Sequence, residues 1–284
     1  MIGVLFALAS AIGYGVSDFV GGLASRRVAA LRVVLISYPV GMVLLGVLAA
    51  VIGGTVSPPA IYWGALSGVC QGLGVWWLYA ALGSGPIAVV APLTAVLAAA
   101  VPLAVGVALG ERPGLTAAVG VVLAMVAVVL VSREATDDDV RPHRFTRAVA
   151  ALTMGAGLAF GLNYVFIAQV PIEANLWPLF FGRLAATVVI VGVAVVTGNV
   201  PLPTGVPLRL ALAAAVLDVV ANVATLLALQ SMMLSLAGVL MSLYPAATVV
   251  LAIVVLRERV TRWQVLGMVM ALVAVAMISL HERI

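Results

Sequence analysis

Residues 81–84 read Ala-Leu-Gly-Ser, and residues 228–231, which lie 147 positions later, read Ala-Leu-Gln-Ser. At the same offset, the Leu-Gly-Glu-Arg of residues 109–112 returns as the Leu-Arg-Glu-Arg of residues 256–259. The chain therefore carries two copies of one unit. Internal duplication of this kind is the typical construction of secondary transporters.

Two further correspondences extend the repeat. Gly120 matches Gly267 at the offset of 147 without a gap. With the offset shortened by one, the Tyr-Gly-Val-Ser of residues 14–17 matches the Phe-Gly-Leu-Asn of residues 160–163. The second copy thus repeats an aromatic-Gly-x-polar motif near its start and a Leu-x-Glu-Arg motif near its end.

The composition excludes a soluble globular protein. Of the 284 residues, 65% are hydrophobic and only 8% are charged, so most side chains must face lipid or one another. The 14 basic residues are all arginines and form no continuous basic run, which argues against a nucleic-acid partner. A single cysteine, Cys70, excludes a disulfide framework and a thiolate metal cluster.

Charges, prolines and glycines divide the chain into ten apolar segments. Each approaches the roughly 20 residues that a helix needs to cross a hydrocarbon core about 30 Å thick. The segments span residues 2–23, 33–53, 60–80, 86–109, 114–131, 148–168, 177–197, 207–229, 235–256 and 262–280. We predict an all-α membrane protein of ten transmembrane helices, with a first repeat at 1–131, a polar linker at 132–147 and a second repeat at 148–284.

Five helices per half is an odd number, so the second repeat must enter the bilayer from the opposite side. The fold is then a 5+5 inverted repeat, in which the halves can exchange roles during alternating access. Eleven arginines flank the odd-numbered connections, whereas the even-numbered connections and the termini carry only Arg112 and Arg283. The positive-inside rule places the odd connections in the cytoplasm and both termini outside. We expect a multi-pass protein of the inner (plasma) membrane.

The paired motifs resemble those of the EamA-type branch of the drug/metabolite transporter superfamily, and the resemblance covers nearly the whole chain. It implies ten helices, a cavity formed mainly by the first four helices of each half, and peripheral fifth and tenth helices. It also implies transport of small metabolites, which in this family include amino acids, sugars and drugs. Many members are thought to have cytoplasmic termini, which the arginines of this chain contradict.

Three ionisable residues, Asp18, Arg183 and Asp218, fall inside the predicted spans. A charge near the bilayer centre costs at least about 2.5–3.5 kcal/mol, so each needs an aqueous cavity or a partner. Asp218 lies near the middle of its segment, and Asp18 lies toward the cytoplasmic end of its segment. Arg183 lies at a depth within reach of Asp218 along its long side chain. Simpler roles are an interfacial position for Asp18, snorkelling for Arg183, or a static Arg183–Asp218 salt bridge.

We predict that Arg183 and Asp218 form or bridge a substrate site, in which a zwitterion offers a carboxylate to one and an ammonium to the other. The further candidates for substrate contact are Asn222, Gln71, Tyr14, Trp76, Asn163 and Tyr244. Gln71 is the repeat equivalent of Asp218, and Asn222 follows Asp218 by one helical turn. Asp218 is the first candidate for proton coupling and Asp18 is the second.

Small residues and prolines predict how the helices pack and bend. Gly64, Gly68 and Gly72 form a stripe that allows close approach of another helix. Three prolines in the fourth and ninth segments each remove a backbone hydrogen bond, so these positions are either static kinks or gating hinges. They are Pro92, Pro102 and Pro245. The paired glutamates of the Leu-x-Glu-Arg motifs are either helix caps and salt-bridge partners or latches of opposing conformations.

An enzyme is not expected. The two histidines, His143 and His281, lie near no partner that suggests a metal site or a catalytic triad. No phosphate loop or dinucleotide fingerprint occurs, so the prediction includes no cofactor and no metal. The expected partners are the lipid bilayer and a small-molecule substrate, and homodimer formation is left open. The alternative hypothesis for the function is a non-transporting membrane scaffold or assembly subunit.

Overall fold

A computed structural model describes residues 2–25, 27–84, 87–131, 146–198, 200–256 and 261–281. These residues form eleven α-helices and one short 3₁₀ helix, with no strand among them. The helices are α1 (Ile2–Ser25), α2 (Ala30–Ile52), α3 (Pro58–Ser84), α4 (Ile87–Ala108), α5 (Leu115–Val131), α6 (Arg147–Ile167), α7 (Trp177–Val196), α8 (Gly205–Ser231), α9 (Leu234–Met241), α10 (Tyr244–Leu256) and α11 (Arg262–His281). The 3₁₀ helix, Ile172–Ala174, precedes α7.

The helices follow the ten predicted segments closely. The largest difference at an outer end is four residues, at the end of α3, where residue 80 was expected and residue 84 is observed. Thr146 caps the start of α6, because its hydroxyl accepts a hydrogen bond from the backbone N–H of Val149. Most of the predicted polar linker, residues 132–145, lies outside the described residues.

The ninth segment is not one helix. It is divided into α9 and α10 by Ser242 and Leu243, immediately before Tyr244 and Pro245. Pro245 has no N–H to donate to a carbonyl of the preceding turn, and it disfavours helical geometry in the residue before it. The hydroxyl of Ser242 instead donates to the carbonyl of Val239 at 2.7 Å. The proline therefore marks a complete break where the sequence predicted a kink.

The molecule is a multi-pass membrane protein. Five of the described helices, α1, α2, α6, α7 and α8, are long and apolar enough to cross a bilayer. Its outer surface carries large apolar side chains such as Leu5, Val47, Val51, Val188 and Val220, each more than half exposed. Water would not stabilise such a surface, whereas lipid hydrocarbon does.

Helix packing uses the same set of neighbours twice. The main pairs are α1 with α8, α3 with α6, α2 with α7, α3 with α7, α2 with α8, α4 with α6, α1 with α10 and α5 with α11. The repeat makes α1 equivalent to α6, α2 to α7, α3 to α8, α4 to the α9–α10 pair, and α5 to α11. Exchanging every helix with its equivalent leaves this set of pairs unchanged. Each half therefore completes the packing of the other.

The contacts between α2 and α7 show the relative direction of these two helices. Gly46 of α2 lies against Phe180, near the start of α7, whereas Gly41 lies against Arg183 farther along. Earlier still in α2, Val34 and Tyr38 pack with Ile190, near the end of α7. The two helices therefore run antiparallel.

The repeated aromatic-Gly-x-polar motif makes equivalent contacts in both halves. The Ser17 hydroxyl donates to the carbonyl of Ala214 at 3.0 Å and so joins α1 to α8. Ser67, whose repeat equivalent is Ala214, donates to Oδ1 of Asn163 at 2.6 Å and so joins α3 to α6. The polar residue of each motif thus fixes its helix to the third helix of the other half.

The glycine of the same motif lets two helices approach closely. A Cβ atom on Gly15 would overlap the side chain of Ala247 in α10, and one on Gly161 would overlap Val101 in α4. Any larger residue at either position would push these helices apart.

The predicted glycine stripe on α3 is confirmed as a packing surface. Gly64 lies against Pro178, Gly68 against Gly182, and Gly72 against Val189, all on α7. A Cβ atom on Gly68 would overlap the carbonyl oxygen of Gly182. This contact holds the segment of α7 that carries Arg183 directly against α3.

At the end of the bundle opposite the α1–α2 connection, Glu111 caps α9. Its two carboxylate oxygens accept hydrogen bonds from the backbone N–H groups of Leu234 at 2.7 Å and Ser235 at 2.9 Å. A carboxylate at a helix N-terminus satisfies amides that otherwise have no partner. All eight residues of α9 are buried, so this short helix fills that end of the bundle. Glu258, the repeat equivalent of Glu111, lies outside the described residues.

The α3–α7 contact yields a stability prediction. Gly68→Ala should lower the melting temperature of the detergent-purified protein, because its Cβ forces α3 and α7 apart; overpacking of this kind costs about 1–3 kcal/mol. Gly192→Ala in α7 is the matched control, since a Cβ there meets no atom within 4 Å. Equal melting temperatures for the two variants would contradict the assigned contact.

Candidate functional site

A cavity of about 690 Å³ lies among helices of both halves. Its wall is built from α1, α2, α3, α4, α6, α8 and α10. The lining residues are Tyr14, Ser17, Asp18, Gly21, Gly22, Ser25, Ala30, Val33, Val34, Ser37, Tyr38, Gln71, Val75, Leu78, Ala98, Phe160, Asn163, Tyr164, Ala214, Asp218 and Tyr244. The volume lies within the range of ordinary small-molecule sites.

The cavity extends from the middle of the bundle to one end only. On α1 it follows a single helical face from Tyr14 to Ser25, the last residue of the helix. On α2 it begins at Ala30, the first residue of that helix, and reaches Tyr38. The mouth is therefore at the α1–α2 connection. The opposite end, which α9 fills, contributes no residue to the wall.

The inner end of the cavity is an ion pair between Arg183 of α7 and Asp218 of α8. Nη2 of Arg183 donates to Oδ2 of Asp218. Asp218 lines the cavity, and its side chain is 18% exposed. Arg183 is only 2% exposed, and its guanidinium lies behind the carboxylate rather than on the wall. The structure thus joins the two charges that the sequence predicted to meet.

The surroundings of Arg183 explain how a guanidinium is buried there. Its Cζ lies 4.4 Å from the ring centroid of Tyr38, a distance at which the aromatic face attracts a cation. Gly41, one turn farther along α2, lies beside the arginine side chain. Nη1 of Arg183 has no hydrogen-bond partner among the described residues. Asp218 therefore supplies the compensating charge, and Tyr38 contributes the rest of the stabilisation.

Asn222 supports this site from behind. Its amide Nδ2 donates to the backbone carbonyl of Asp218 at 2.7 Å, within one turn of α8. Asn222 is only 9% exposed and does not line the cavity. Its position makes it a support for the helix that carries Asp218 rather than a group facing the cavity in this conformation.

Asp18 faces the cavity from α1, across from Asp218. It is exposed to the cavity, and the two carboxylates are close enough to repel each other. No described arginine forms an ion pair with it. Asp18 is therefore part of the cavity wall.

The structure brings most of the predicted site residues to one place. Tyr14, Gln71, Asn163 and Tyr244 line the cavity together with the two aspartates. Trp76 does not, since it is 37% exposed on the other side of α3 from its neighbour Val75. Arg183 and Asn222 lie one layer behind the wall, so a substrate carboxylate reaches Arg183 only if Asp218 releases it.

Sequence reasoning missed two tyrosines that shape the site. Tyr38 contacts Arg183, and Tyr164 lines the cavity beside Asn163. The repeat held a signal for the second, because Tyr164 is the equivalent of Asp18 at the offset of 146. Tyr38 had no such signal, since its importance depends on the antiparallel contact between α2 and α7.

The three predicted hinge prolines occupy different structural positions. Pro245 stands at the start of α10, immediately after the helix break. Pro102 lies within α4 and packs against Gly238 of α9. Pro92 is also within α4, and its side chain lies outside the described residues. Their roles as hinges stay a prediction.

A helical membrane bundle with a solvent cavity that ends at a central ion pair belongs to the class of membrane transporters. Within the described residues, no cluster of histidine, cysteine, aspartate or glutamate could hold a metal ion. The model of the EamA-like transporter family matches residues 1–133 and 147–280. The chain therefore belongs to the EamA-like transporter family, part of the drug/metabolite transporter superfamily, whose members are generally not enzymes.

A solved structure supports the fold. A crystal structure of a protein with 16% sequence identity has a TM-score of 0.75 and covers 96% of this chain and 98% of the other chain. At that identity the likeness speaks for the fold alone. No curated protein matches the sequence.

The geometry of the ion pair predicts that replacing Asp218 and replacing Arg183 have unequal effects on stability. Asp218→Asn should lower the melting temperature strongly, because a buried guanidinium loses its counter-charge, at a cost of roughly 3–5 kcal/mol. Arg183→Gln should cost less, since Asp218 faces the cavity and water can solvate it. The double variant Arg183→Met/Asp218→Asn should be more stable than Asp218→Asn alone. Strictly additive losses in this double-mutant cycle would show that the two side chains do not interact.

Proposed function

We propose that this protein is a secondary transporter that moves a small metabolite across the membrane by alternating access. One observation carries the proposal: the cavity reaches from one end of the bundle to a buried ion pair at its centre and stops there. A site at mid-depth that is open to one side only is the geometry that alternating access requires. The second conformation would close this mouth and open the other end.

The proposed architecture is ten transmembrane helices in two inverted halves, related by an axis in the membrane plane. Three observations support it: the internal sequence repeat, the two stretches that match the family, and the helix pairing that survives exchange of the halves. The antiparallel run of α2 and α7 agrees with inversion, because these helices are repeat equivalents. Such halves can exchange conformations at little net cost, since each state reproduces the contacts of the other with the halves swapped.

The arginine distribution orients this architecture. It places the α1–α2 connection, and with it the mouth of the cavity, on the cytoplasmic side of the plasma membrane. The opposite end would then face outward and be closed by α9 and its cap from Glu111. In this orientation the structure is an inward-open state.

Asp218 is our choice for the residue that binds substrate and carries the coupling proton. It is the charge at the inner end of the cavity, and protonation would cancel its attraction for Arg183. The other ionisable groups facing it are Asp18 and Tyr14 on α1, and Tyr38 contacts its partner Arg183 from α2. Release of Arg183 would in turn free a cation at the centre of the bundle. Asp18 is the second candidate for proton coupling.

The competing function is a membrane scaffold without transport activity. A scaffold needs neither a cavity of this volume nor an ion pair at its inner end, and both carry a cost in stability. The two functions differ in what the central charges do. In a scaffold they hold helices together, whereas in a transporter they also act on the substrate.

Transport by reconstituted protein separates these functions. A thermal-stabilisation screen of amino acids, sugars and cationic drugs first selects ligands, and proteoliposomes with an imposed proton gradient then report uptake. We expect Asp218→Asn and Arg183→Gln to lose at least about tenfold in rate, the effect of one lost charged contact. Glu173→Gln, which removes an exposed carboxylate outside the cavity, should transport normally. Wild-type transport rates in both site variants would contradict the assignment of Asp218 and Arg183 to the substrate site. A protein that takes up none of the selected ligands would favour the scaffold function.

A further inference from the structure

The described wall of the cavity is acidic. It carries two carboxyl groups, those of Asp18 and Asp218, and none of the described lining residues is an arginine or a histidine. Arg183 lies behind the wall and is paired with Asp218. The carboxyl group of Asp18 therefore faces the cavity without a counter-ion among the described residues.

Asp18 has no partner among the described residues. It takes part in no hydrogen bond or ion pair of the described part of the chain, and the hydroxyl of its neighbour Ser17 is directed to Ala214 on α8. An ionisable residue within a span is costly to keep unless it serves a ligand or an ion pathway. Its exposure to the cavity makes the first of these roles available.

Aromatic side chains line the same cavity as this carboxylate. They are Tyr14, Tyr38, Tyr164, Tyr244 and Phe160. Tyr164 and Tyr244 lie within electrostatic range of Asp18. A carboxylate and aromatic rings in one cavity can recognise an alkylammonium group, since the ring quadrupoles and the charge attract the same cation.

The wall offers much less to an anion. The guanidinium of Arg183 is inaccessible while it is paired with Asp218. The N-terminus of α10 reaches the cavity at Tyr244, but Pro245 has no N–H and the N–H of Ala246 donates to the carbonyl of Leu243. What remains for an anion are neutral donors such as the amide of Gln71.

We propose that Asp18 is the specificity-determining residue of the transport site and that the substrate is an organic cation, whose ammonium group lies between Asp18 and the rings of Tyr164 and Tyr244. This inference rests on the proposed transport function and names its substrate class. It differs from the zwitterion suggested by the sequence, because no arginine or histidine among the described residues lines the cavity to receive a carboxylate. The affinity for the positive charge comes from Asp18, and Asp218 adds to it when Arg183 is displaced.

Isosteric probes test the charge preference directly. Choline and its uncharged carbon analogue 3,3-dimethylbutan-1-ol have nearly the same shape, and tetramethylammonium and benzyltrimethylammonium extend the series in size. Binding to the purified wild-type protein is measured by isothermal titration calorimetry in detergent. We expect at least one quaternary ammonium to bind, and choline to bind at least about tenfold more tightly than its neutral analogue, as one charge-assisted contact requires.

Variants of Asp18 test whether this residue causes the preference for a charged ligand. Asp18→Asn should abolish the preference for choline over the neutral analogue, whereas Asp18→Glu, which keeps the charge, should retain it. Glu173→Gln is the matched control for loss of a carboxylate elsewhere and should bind as the wild type does. If Asp18→Asn fails to fold, the wild-type comparison of charged and neutral probes still decides the substrate class.

Two results would overturn the inference. The first is a wild-type protein that binds none of the ammonium probes or binds the neutral analogue as tightly as choline. The second is an Asp18→Asn protein that keeps the full preference. Neither result tests the proposed transport function. That function is tested separately by measuring concentrative uptake of any ligand by proteoliposomes.

Discussion

A guanidinium buried in an apolar bundle has to stay with its carboxylate partner, because separating them leaves the guanidinium without a counter-charge or solvent. In this protein Arg183 and Asp218 impose that constraint on α7 and α8. Tyr38 and Gly41 extend it to α2, and the close contact of Gly68 with Gly182 extends it to α3. Four helices from both halves are therefore positioned around one ion pair. The cavity ends where this pair begins.

The two halves are alike in packing and unlike in chemistry. Four pairs of repeat-equivalent positions face the cavity together: Tyr14 with Phe160, Ser17 with Asn163, Asp18 with Tyr164, and Gln71 with Asp218. Each charged residue of the wall thus has an uncharged equivalent. In the proposed exchange of the halves, these equivalent positions would preserve the shape of the cavity. The unequal side chains give it one charged site rather than two competing ones.

The sequence was sufficient for features that depend on spacing along a helix. The ends of the helices, the glycine stripe on α3 and the meeting of Arg183 with Asp218 all follow from length, periodicity and depth. The rotation of a helix was harder to predict, because apolar residues surround most of these helices and no polar face marks the interior. Trp76 and Val75 illustrate this, since adjacent residues on a helix point about 100° apart and only Val75 faces the cavity.

The sequence also did not predict which residue of the ion pair lies closer to the cavity. Depth arguments placed Arg183 and Asp218 at compatible heights, but they did not determine which of the two faces the cavity. That outcome depends on the packing of α2 against α7, in which the ring of Tyr38 lies against the guanidinium of Arg183. It changes the predicted substrate from a zwitterion to a cation. The chemistry of the site was therefore decided by packing between halves.

The central claim is that the two halves exchange roles around this site, and repeat-equivalent positions test it most directly. Val75 lines the open cavity, whereas its equivalent Asn222 is buried on the closed side. In a Cys70→Ser background, the labelling rates of Val75→Cys and Asn222→Cys with a membrane-impermeant thiol reagent are measured in inside-out and right-side-out vesicles. Alternating access predicts that Val75→Cys reacts from the cytoplasmic side and Asn222→Cys from the opposite side. An Asn222→Cys thiol that reacts only from the cytoplasmic side, or from neither side, would contradict the account.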